Sequence, residues 1–408
     1  MKILLTLPGP LFPADTGGKI RSLNIFSRLA RRVEIHAVSF ADPEKDTAAI
    51  SEMKTMFAGY TPVFRREARK YSLRFGADVV TNQFATLPYF LAKRNCPRFR
   101  QAIVGLTAAE RFDLLFCDFL HTAAPLVKLA FSPRVVFEHN VEFLLRQRKA
   151  EVENRAMRKL VFSREWKKTR RVEAEVCRSF DHVFCVSGED RRLLQQEFDV
   201  SNVSVLTTGV DTDFFRPADE SPHPCHLVFV GSMDWDPNED AVVWFLRDIY
   251  PLIKRHAPQV TFSIVGRSPS PRLRAIAAQE PGVEVTGWVP DVRPYLARAE
   301  VVIVPLRAGS GTRIKIPEAM AMQKAVVSTP IGAEGLDLQD GCEIRIAENA
   351  VAFAQAVVDL LRRPSLRDSI AKKARKTMVE RYGWDPVVAQ LEETLERIVR
   401  KAQLSAAA

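Results

Sequence analysis

A glycine turn, two cations and a carboxylate follow one another in the segment AGSGTRIKIPE, residues 308–318. The turn that leads into a predicted helix is formed by Gly309, Ser310, Gly311 and Thr312. Backbone N–H groups at such a turn, with a helix N-terminus behind them, favour an anionic group such as a phosphate. Arg313 and Lys315 add positive charge, and Glu318 could accept hydrogen bonds from sugar hydroxyls. Together, these groups meet the requirements for binding a nucleotide-sugar.

The same turn could equally be a structural turn that binds no ligand, as many strand–glycine–helix turns are. Two known phosphate motifs are excluded by the residues. A Walker loop needs a Gly-Lys-Ser/Thr end that this segment lacks, and a dinucleotide fingerprint needs a third glycine where Ile314 stands.

Two places in the first half of the chain are further candidates. Gly17 and Gly18 follow the first predicted strand, where backbone can approach a phosphate closely, although Gly-Gly could equally be a plain turn. His139 directly follows another strand, and ligands of open parallel sheets bind beyond the carboxyl ends of the strands. Asp118 and His121 follow a neighbouring strand in the same way and rank lower. A single histidine is more often structural than catalytic, so both interpretations stay open.

The elements that must position these residues alternate between strand and helix along the whole chain. Short, continuous, β-branched apolar runs predict strands buried on both faces of parallel sheets. The predicted strands are 1–7, 33–40, 113–118, 135–138, 182–187, 203–207, 227–230, 261–265, 283–286, 301–306 and 325–328. Helices are predicted between them, including 19–30, 189–198, 242–256 and 314–323. Residues 41–110 read as mostly helix or loop, and the Pro- and Asp-rich segment 211–226 is the best linker candidate. The fold class is therefore α/β in two halves.

Composition limits the kind of protein. The 408 residues carry a net charge of +10 and are 47% apolar, which is enough for two cores. No apolar run is long enough to span a membrane, and the start is too short for a signal peptide. Six scattered cysteines without a CxxC pair predict reduced thiols in a cytoplasmic protein, with no disulfide framework and no zinc site.

Part of the positive charge is concentrated in residues 144–180, which hold twelve Lys or Arg and five Glu. A solvated helix face explains this cluster most simply. The alternative is attraction to an anionic membrane surface or to an acidic substrate, which would place the protein peripherally at the inner face of the membrane. Nucleic acid is not predicted as a partner, because aromatic residues are not interleaved with the charges. Asp234-Trp235-Asp236 could be read as a metal pair, but Pro237 and Asn238 favour a turn and helix start, so no metal is predicted.

Several longer motifs carry a family resemblance over nearly the whole chain. The second half reads FVGSMDWDPNEDAVVWF, FSIVGR and VEVTGWVPDVRPYLARAEVVIVPLRAGSGTRIKIPEAMAMQKAVVST, and the first half reads DTGGKIRS, FEHNVE and DHVFCVSGED. This pattern resembles family-4-type glycosyltransferases of the GT-B fold, in the bacterial polysaccharide-associated branch with a Gly-Ser-Gly-Thr-Arg-x-Lys signature. The resemblance implies two Rossmann-like domains facing a central cleft. It divides the chain into an acceptor-binding domain at 1–214, a donor-binding domain at 226–383 and a C-terminal helix at 384–408 that returns to the first domain.

The resemblance also implies an activity and roles for single residues. Such enzymes transfer a sugar from a nucleotide-sugar, UDP- or GDP-linked, to a saccharide, lipid-linked or other hydroxyl acceptor, with retention of configuration and without metal or cofactor. His139 would lie near the reacting centre and Glu318 would bind the donor ribose. Further donor contacts would come from Gly17, Gly18, Gly231, Ser232, Arg267, Val289, Gly309, Ser310, Gly311, Thr312, Arg313 and Lys315.

Two departures from the family pattern bear on this expectation. Many relatives carry a glutamate eight positions before the one at Glu318, and here that position is Ser310. Many also carry Arg and Lys after the first strand of the donor domain, where this chain has Ser232-Met233-Asp234. Arg313 or Lys315 is expected to supply the missing charge. A nucleotide-sugar epimerase or phosphorylase, and a non-catalytic carbohydrate- or membrane-binding relative, remain the alternatives.

Overall fold

The computed structural model describes residues 1–65, 81–82, 85–153, 155–308 and 314–407. It consists of two compact units, which are described separately. Unit 1 comprises Met1–Thr207 and Val388–Ala408, and unit 2 comprises Thr208–Val387.

Unit 1 is built on a seven-stranded parallel sheet with the strand order β3-β2-β1-β4-β5-β6-β7. The strands are β1 (Lys2–Leu7), β2 (Glu34–Ala41), β3 (Gly59–Phe64), β4 (Leu114–Asp118), β5 (Arg134–Glu138), β6 (His182–Cys185) and β7 (Val203–Val205). Residues 41–110 were expected to be mostly helix or loop, and that expectation did not include β3, which lies there. Pro62 argues against a strand in the sequence, but β3 is at the edge of the sheet, where a residue without an N–H is tolerated.

Helices cover both faces of this sheet, and the core of unit 1 lies between the sheet and the helices on each face. The described helices are α1 (Gly17–Leu29), α2 (Thr47–Met56), α3 (Tyr89–Ala92), α4 (Pro97–Ala109), α5 (Leu120–Ala123), α6 (Glu142–Val152), α7 (Ala156–Ser179) and α8 (Gly188–Phe198). On one face Phe26 of α1 meets Phe116 of β4 edge-to-face at 5.3 Å. On the other face, Phe99 of α4 stacks on Phe40 of β2 at 4.5 Å. Such aromatic pairs add to the stability that area burial provides.

Unit 2 is built on a six-stranded parallel sheet with the order β10-β9-β8-β11-β12-β13. The strands are β8 (His226–Val230), β9 (Thr261–Val265), β10 (Val283–Gly287), β11 (Val301–Val304), β12 (Ala325–Ser328) and β13 (Arg345–Ile346). The predicted strands 261–265 and 325–328 are confirmed residue for residue. The two-residue β13 is too short to leave a pattern in the sequence.

The helices of unit 2 enclose a core that includes Phe229, Phe245, Phe262 and Phe353. They are α9 (Asp236–Trp244), α10 (Tyr250–His256), α11 (Pro271–Ala277), α12 (Arg293–Arg298), α13 (Lys315–Ala321), α14 (Ala350–Arg362) and α15 (Pro364–Thr377). The single predicted helix 242–256 is wrong in its start and its regularity: α9 begins at Asp236, and a π-helical turn over Phe245–Ile249 separates it from α10. Pro251 has no N–H to donate, so the regular hydrogen-bond ladder cannot continue through this point.

The segment after Thr207 and the last helix complete the two units. Residues 211–226 belong to unit 2, where Arg375 donates to the carbonyls of Thr212 and Phe215 at 3.0 and 3.1 Å. Helix α16 (Trp384–Ala407) belongs to unit 1 from Val388 onward, and its Glu392 pairs with Arg32 at 3.0 Å. Within the described residues, no helix combines the length and the apolar character that a membrane span needs.

Candidate functional site

The carboxyl ends of β8 and β9 bring two glycines into direct backbone contact in unit 2. Gly231 N–H donates to the Val265 carbonyl at 2.9 Å, and Met233 N–H donates to the Arg267 carbonyl at 2.9 Å. A Cβ at Gly266 would lie 1.8 Å from the carbonyl oxygen of Gly231, so no other residue fits there. The loop that holds Gly231 and Ser232 is therefore fixed against the loop that holds Arg267.

Lys315, at the start of α13, reaches this same loop. Its Nζ donates to Asn238 Oδ1 at 2.7 Å and lies 4.2 Å from the centre of the Phe229 ring. A Cβ at Gly231 would be 2.8 Å from that Nζ. Asn238 in turn donates to the Ser232 carbonyl at 2.8 Å. The structure thus brings a lysine from α13 to the loop after β8, which itself carries Ser232, Met233 and Asp234 and no cation.

Arg267 and Val289 lie at the same edge of the sheet. Arg267 Nε donates to Ser232 Oγ at 2.8 Å, and its guanidinium lies 3.3 Å from Asp234. Asp234 is therefore engaged by an arginine, and the helix start predicted around Asp236 is confirmed. Val289 follows the end of β10 and packs on the core of unit 2.

Glu318 lies in the first turn of α13 and is partly buried. Burial raises the pKa of its carboxyl to about 7, and the positive charge of Lys315 opposes that rise. Near neutral pH this carboxyl is poised between its protonated and ionised forms. The turn residues Gly309, Ser310, Gly311, Thr312 and Arg313 lie outside the described residues, so their predicted contacts stay predictions.

In unit 1, the carboxyl ends of β4 and β5 hold a buried polar network around His139. His139 Nε2 lies 2.6 Å from Asp118 Oδ1, and Arg21 Nη1 lies 3.0 Å from His139 Nδ1. Ser22 donates to the other Asp118 oxygen at 2.6 Å. An arginine can only donate, so Nδ1 accepts and Nε2 carries the proton that it donates to Asp118. Both ring nitrogens are therefore engaged within the protein.

The imidazole also contacts two phenylalanine rings. Phe119 stacks on His139 at 3.7 Å, Phe137 lies at 4.2 Å, and only 3% of the histidine is exposed. Burial lowers the pKa of His139, the Asp118 carboxylate opposes this, and Arg21 lowers it further. A neutral, fixed ring is suited to positioning the strand-end loops rather than to proton transfer.

Gly18 connects this network to the start of α1. Helix α1 begins at Gly17, with Thr16 as its N-cap, so the predicted glycine pair occupies the first turn. A Cβ at Gly18 would lie 2.8 Å from the Phe119 ring, whereas a Cβ at Gly17 would meet nothing within 4 Å. Gly18 therefore lets α1 approach Phe119 and His139 closely. His121, by contrast, packs against Phe90, and burial lowers its pKa to about 3.

Sequence reasoning found His139 and ranked Asp118 lower, but it missed Arg21 and Ser22. Both lie on α1 within the motif DTGGKIRS and are buried polar residues. It also missed Asn238, which was read only as part of a helix start. A polar residue on the apolar face of a helix was the available signal in each case.

A group of buried glutamates includes Glu138, which directly precedes His139 at the end of β5, and Glu173 of α7. Glu138 and Glu173 are 1% and 0% exposed, and Glu173 accepts the backbone N–H groups of Glu142 and Phe143 at 2.7 and 2.8 Å. Glu142 also pairs with Arg146. Burial and the neighbouring Glu173 and Glu142 raise the pKa of Glu138 well above its ordinary value, and burial raises that of Glu173 to about 8.

This arrangement predicts a pH-dependent loss of stability. Protonated Glu138 contributes to the free energy of unfolding. This contribution is fully present below the pKa of the unfolded state, near 4.5, and is lost as pH rises toward the higher pKa of the folded state. Glu138→Gln cannot ionise, so its melting temperature should decline less than that of the wild type between about pH 5 and pH 8. Glu175→Gln, at an exposed position of α7, should follow the wild-type curve. Identical pH profiles for Glu138→Gln and the wild type would contradict this account.

Comparison with known proteins extends these observations. Residues 17–214 match the family model Glycosyltransferase Family 4, and residues 224–363 match the model Glycosyl transferases group 1. An uncharacterized 44.6 kDa protein in the cps region of Klebsiella pneumoniae is 22% identical over 79% of this chain and 83% of its own length. A phosphatidyl-myo-inositol mannosyltransferase of Mycolicibacterium smegmatis is 31% identical over 53% of this chain. The match spans 58% of that mannosyltransferase, so it covers little more than half of it.

The fold has close counterparts among solved structures. The Anabaena protein HepE, solved in complex with UDP, is similar with a TM-score of 0.68 and 15% identity over 97% of this chain and all of that one. Two parallel-sheet Rossmann-like units with such neighbours define the GT-B fold. The family matches together with this fold identify the chain as a glycosyltransferase of the family-4 type.

Proposed function

We propose that the protein transfers a sugar from a nucleotide-sugar to an acceptor hydroxyl, with retention of configuration and without a metal ion. The observation that carries this proposal is the contact of Lys315 with Asn238 beside Gly231. It supplies a positioned cation at the carboxyl edge of the unit 2 sheet, where ligands of such sheets bind. Solved relatives of the fold bind UDP, which suits a nucleoside diphosphate at this edge.

In the proposed reaction, the acceptor oxygen forms a bond to the anomeric carbon as the bond from that carbon to the diphosphate breaks. The acceptor proton passes to the leaving phosphate oxygen, so both substrates stay balanced in charge and atoms. Lys315 offsets the negative charge that develops on the diphosphate, which is the main electrostatic task of the step. Attack from the same face as the leaving group retains the configuration. His139 acts as a positioning residue, because both of its ring nitrogens are engaged.

The test is a screen of UDP- and GDP-linked sugars with the purified protein. A nucleotide-sugar that binds the folded state should raise the melting temperature, and a labelled donor should pass its sugar to an acceptor with the anomeric configuration kept. An epimerase would return a changed sugar nucleotide, a phosphorylase would require phosphate, and a non-catalytic relative would bind without turnover. Any of these three outcomes would overturn the proposal.

Glu318 gives this proposal a pH signature. A carboxylate accepts hydrogen bonds from ribose hydroxyls better when ionised, and burial places its pKa at about 7. The affinity for the bound nucleotide-sugar should therefore increase between about pH 6 and pH 8, since its diphosphate diester does not titrate there. Glu318→Gln should bind more weakly and show no such increase in calorimetric titrations. An unchanged pH profile in Glu318→Gln would contradict ribose binding by this residue.

We also propose that the acceptor belongs to polysaccharide or glycolipid synthesis and that the protein acts in the cytoplasm at a membrane surface. The mannosyltransferase relative is named for a lipid substrate, and the Klebsiella relative for a cps region. The six cysteines, all at described positions, are free thiols, as reducing surroundings require.

The start of α7 supplies the surface for this membrane contact. Met157 is 75% exposed and Leu160 49% exposed, and Arg155, Arg158 and Lys159 beside them are exposed as well. Apolar side chains among cations suit the interface of an anionic bilayer. The protein should sediment with phosphatidylglycerol vesicles but not with phosphatidylcholine vesicles. Replacing Met157 and Leu160 with serine should weaken that binding, whereas Leu404→Ser, exposed on α16, should not. Equal binding to both vesicles would contradict the contact.

A further inference from the structure

A separate cavity of about 240 Å³ lies in unit 1 at the carboxyl ends of β1, β2 and β3. Its walls come from the loop after β1, the end of β2, and the residues directly after β3 and α3. Five of its lining residues are charged, namely Asp42, Lys45, Asp46, Arg65 and Arg94. None of them belongs to the donor residues of unit 2 or to the network around His139.

The charge of this cavity favours an anion. Three lining cations face two carboxylates, which leaves one positive charge in excess. The carboxylates also serve the local backbone. Asp46 accepts the N–H of Asp42 at 2.8 Å, and Asp42 accepts those of Glu44 and Lys45 at 3.0 and 3.3 Å. Among the described residues, Lys45 and Arg65 form no ion pair, so their charges are available to a ligand.

The remaining wall is suited to a sugar ring. Pro8, Gly9, Pro10 and Phe40 also line the cavity, and the two prolines have no N–H to offer. Phe40 is held by its stack on Phe99 at 4.5 Å. Apolar lining residues can contact a sugar ring while the guanidinium groups hold its charged substituent, since guanidinium matches phosphate and carboxylate geometry.

The position of the cavity connects it to the reaction. In the order β3-β2-β1-β4-β5, strand β1 is two places from β5, whose end carries His139. Neighbouring strands are about 4.8 Å apart, so the near side of the cavity is roughly 10 Å along the same edge from that residue. One or two linked sugar rings span such a distance.

We propose that this cavity binds the acceptor and selects one that carries a phosphate or carboxylate group on a sugar or polyol. The inference rests on the proposed transferase function, because it names the acceptor of that reaction. Arg65 and Arg94 hold the anionic group, the positive charge of Lys45 also attracts it, and the lining residues Pro8–Pro10 contact the sugar ring.

Ligand-observed NMR with the full-length protein tests this proposal using glucose 6-phosphate, glucuronate, glucose and inorganic phosphate as probes. The two anionic sugars should bind and glucose should not, and the paired variant Arg65→Gln and Arg94→Gln should weaken their binding about tenfold or more. Arg100→Gln, an exposed arginine of α4, is the matched control. Glucose 6-phosphate binding alone would indicate a phosphorylated acceptor, and glucuronate binding alone an acidic sugar; both support the cavity.

Equal binding of glucose, or anion binding unchanged in the paired variant, would overturn the proposal. The same samples are titrated with UDP and GDP, whose affinity should not change in the paired variant. Failure of both nucleotides to bind, with anion binding at Arg65 and Arg94 intact, would count against the proposed donor rather than the cavity. Melting curves of all variants show whether the fold is retained.

Discussion

Lys315→Ala should lower kcat/KM for sugar transfer by about 10²–10³-fold, the loss typical for one preorganised group that stabilises developing negative charge. The reason lies in the position of Nζ, which is fixed by Asn238 at 2.7 Å and by the Phe229 ring at 4.2 Å. Arg267 also contacts this loop, but its guanidinium is paired with Asp234. Affinity for the nucleoside diphosphate should fall together with turnover, because the charge is present in both substrate and product.

Two companion variants make this prediction specific. Lys372→Ala removes an exposed lysine from α15 of the same unit and should leave kcat/KM unchanged. Asn238→Ala keeps the charge of Lys315 but removes its anchor, so a smaller loss is expected. Normal donor affinity and turnover in Lys315→Ala would show that another residue compensates the diphosphate charge, with Arg313 the remaining candidate.

Asp118→Ala should destabilise unit 1 by about 3 kcal/mol or more and abolish transfer. Asp118 is fully buried and accepts hydrogen bonds from His139 and Ser22, and its charge balances that of buried Arg21. Without the carboxylate, Arg21 is left as a buried cation, and burial already lowers its pKa to about 10. Hydrogen exchange of the β4 and β5 amides measures this loss for unit 1 separately from unit 2.

The control for this second prediction is Glu189→Ala, which removes an exposed carboxylate that pairs with Arg192 on the surface of α8. Such exposed pairs contribute at most about 1 kcal/mol. The double variant Arg21→Leu with Asp118→Leu should lose less than the sum of its single variants, because no charge is then left unbalanced. Additive losses, or protection of β4 and β5 unaltered in Asp118→Ala, would mean that the network does not stabilise the unit.

The sequence was sufficient for the parallel α/β architecture because its strands are continuous apolar runs. Strands β9 and β12 match their predicted limits, since buried β-branched residues end there at glycine or polar positions. Edge strand β3 was missed because Pro62 opposes strand formation except where no partner needs its N–H. The π-helical turn before Tyr250 was missed because it does not change the apolar character of the surrounding residues.

The candidate sites were harder to predict because their residues are distant in the chain. Arg21 and His139 are 118 positions apart, and Lys315 and Asn238 are 77 positions apart. Only the parallel pairing of strands brings the first pair to one edge, and only the contact of Lys315 with Phe229 of β8 and the loop after it brings the second pair together. Spacing within a motif could single out His139 and Lys315, but it could not indicate their partners.

The most direct measurement is a crystal structure with the nucleoside diphosphate that most raises the melting temperature. The diphosphate should lie within hydrogen-bond distance of Lys315 Nζ and the loop at Gly231, with the ribose hydroxyls on Glu318. A nucleotide bound elsewhere in the protein, with Lys315 still on Asn238 and nothing on Glu318, would contradict the donor site on which the proposed transfer depends.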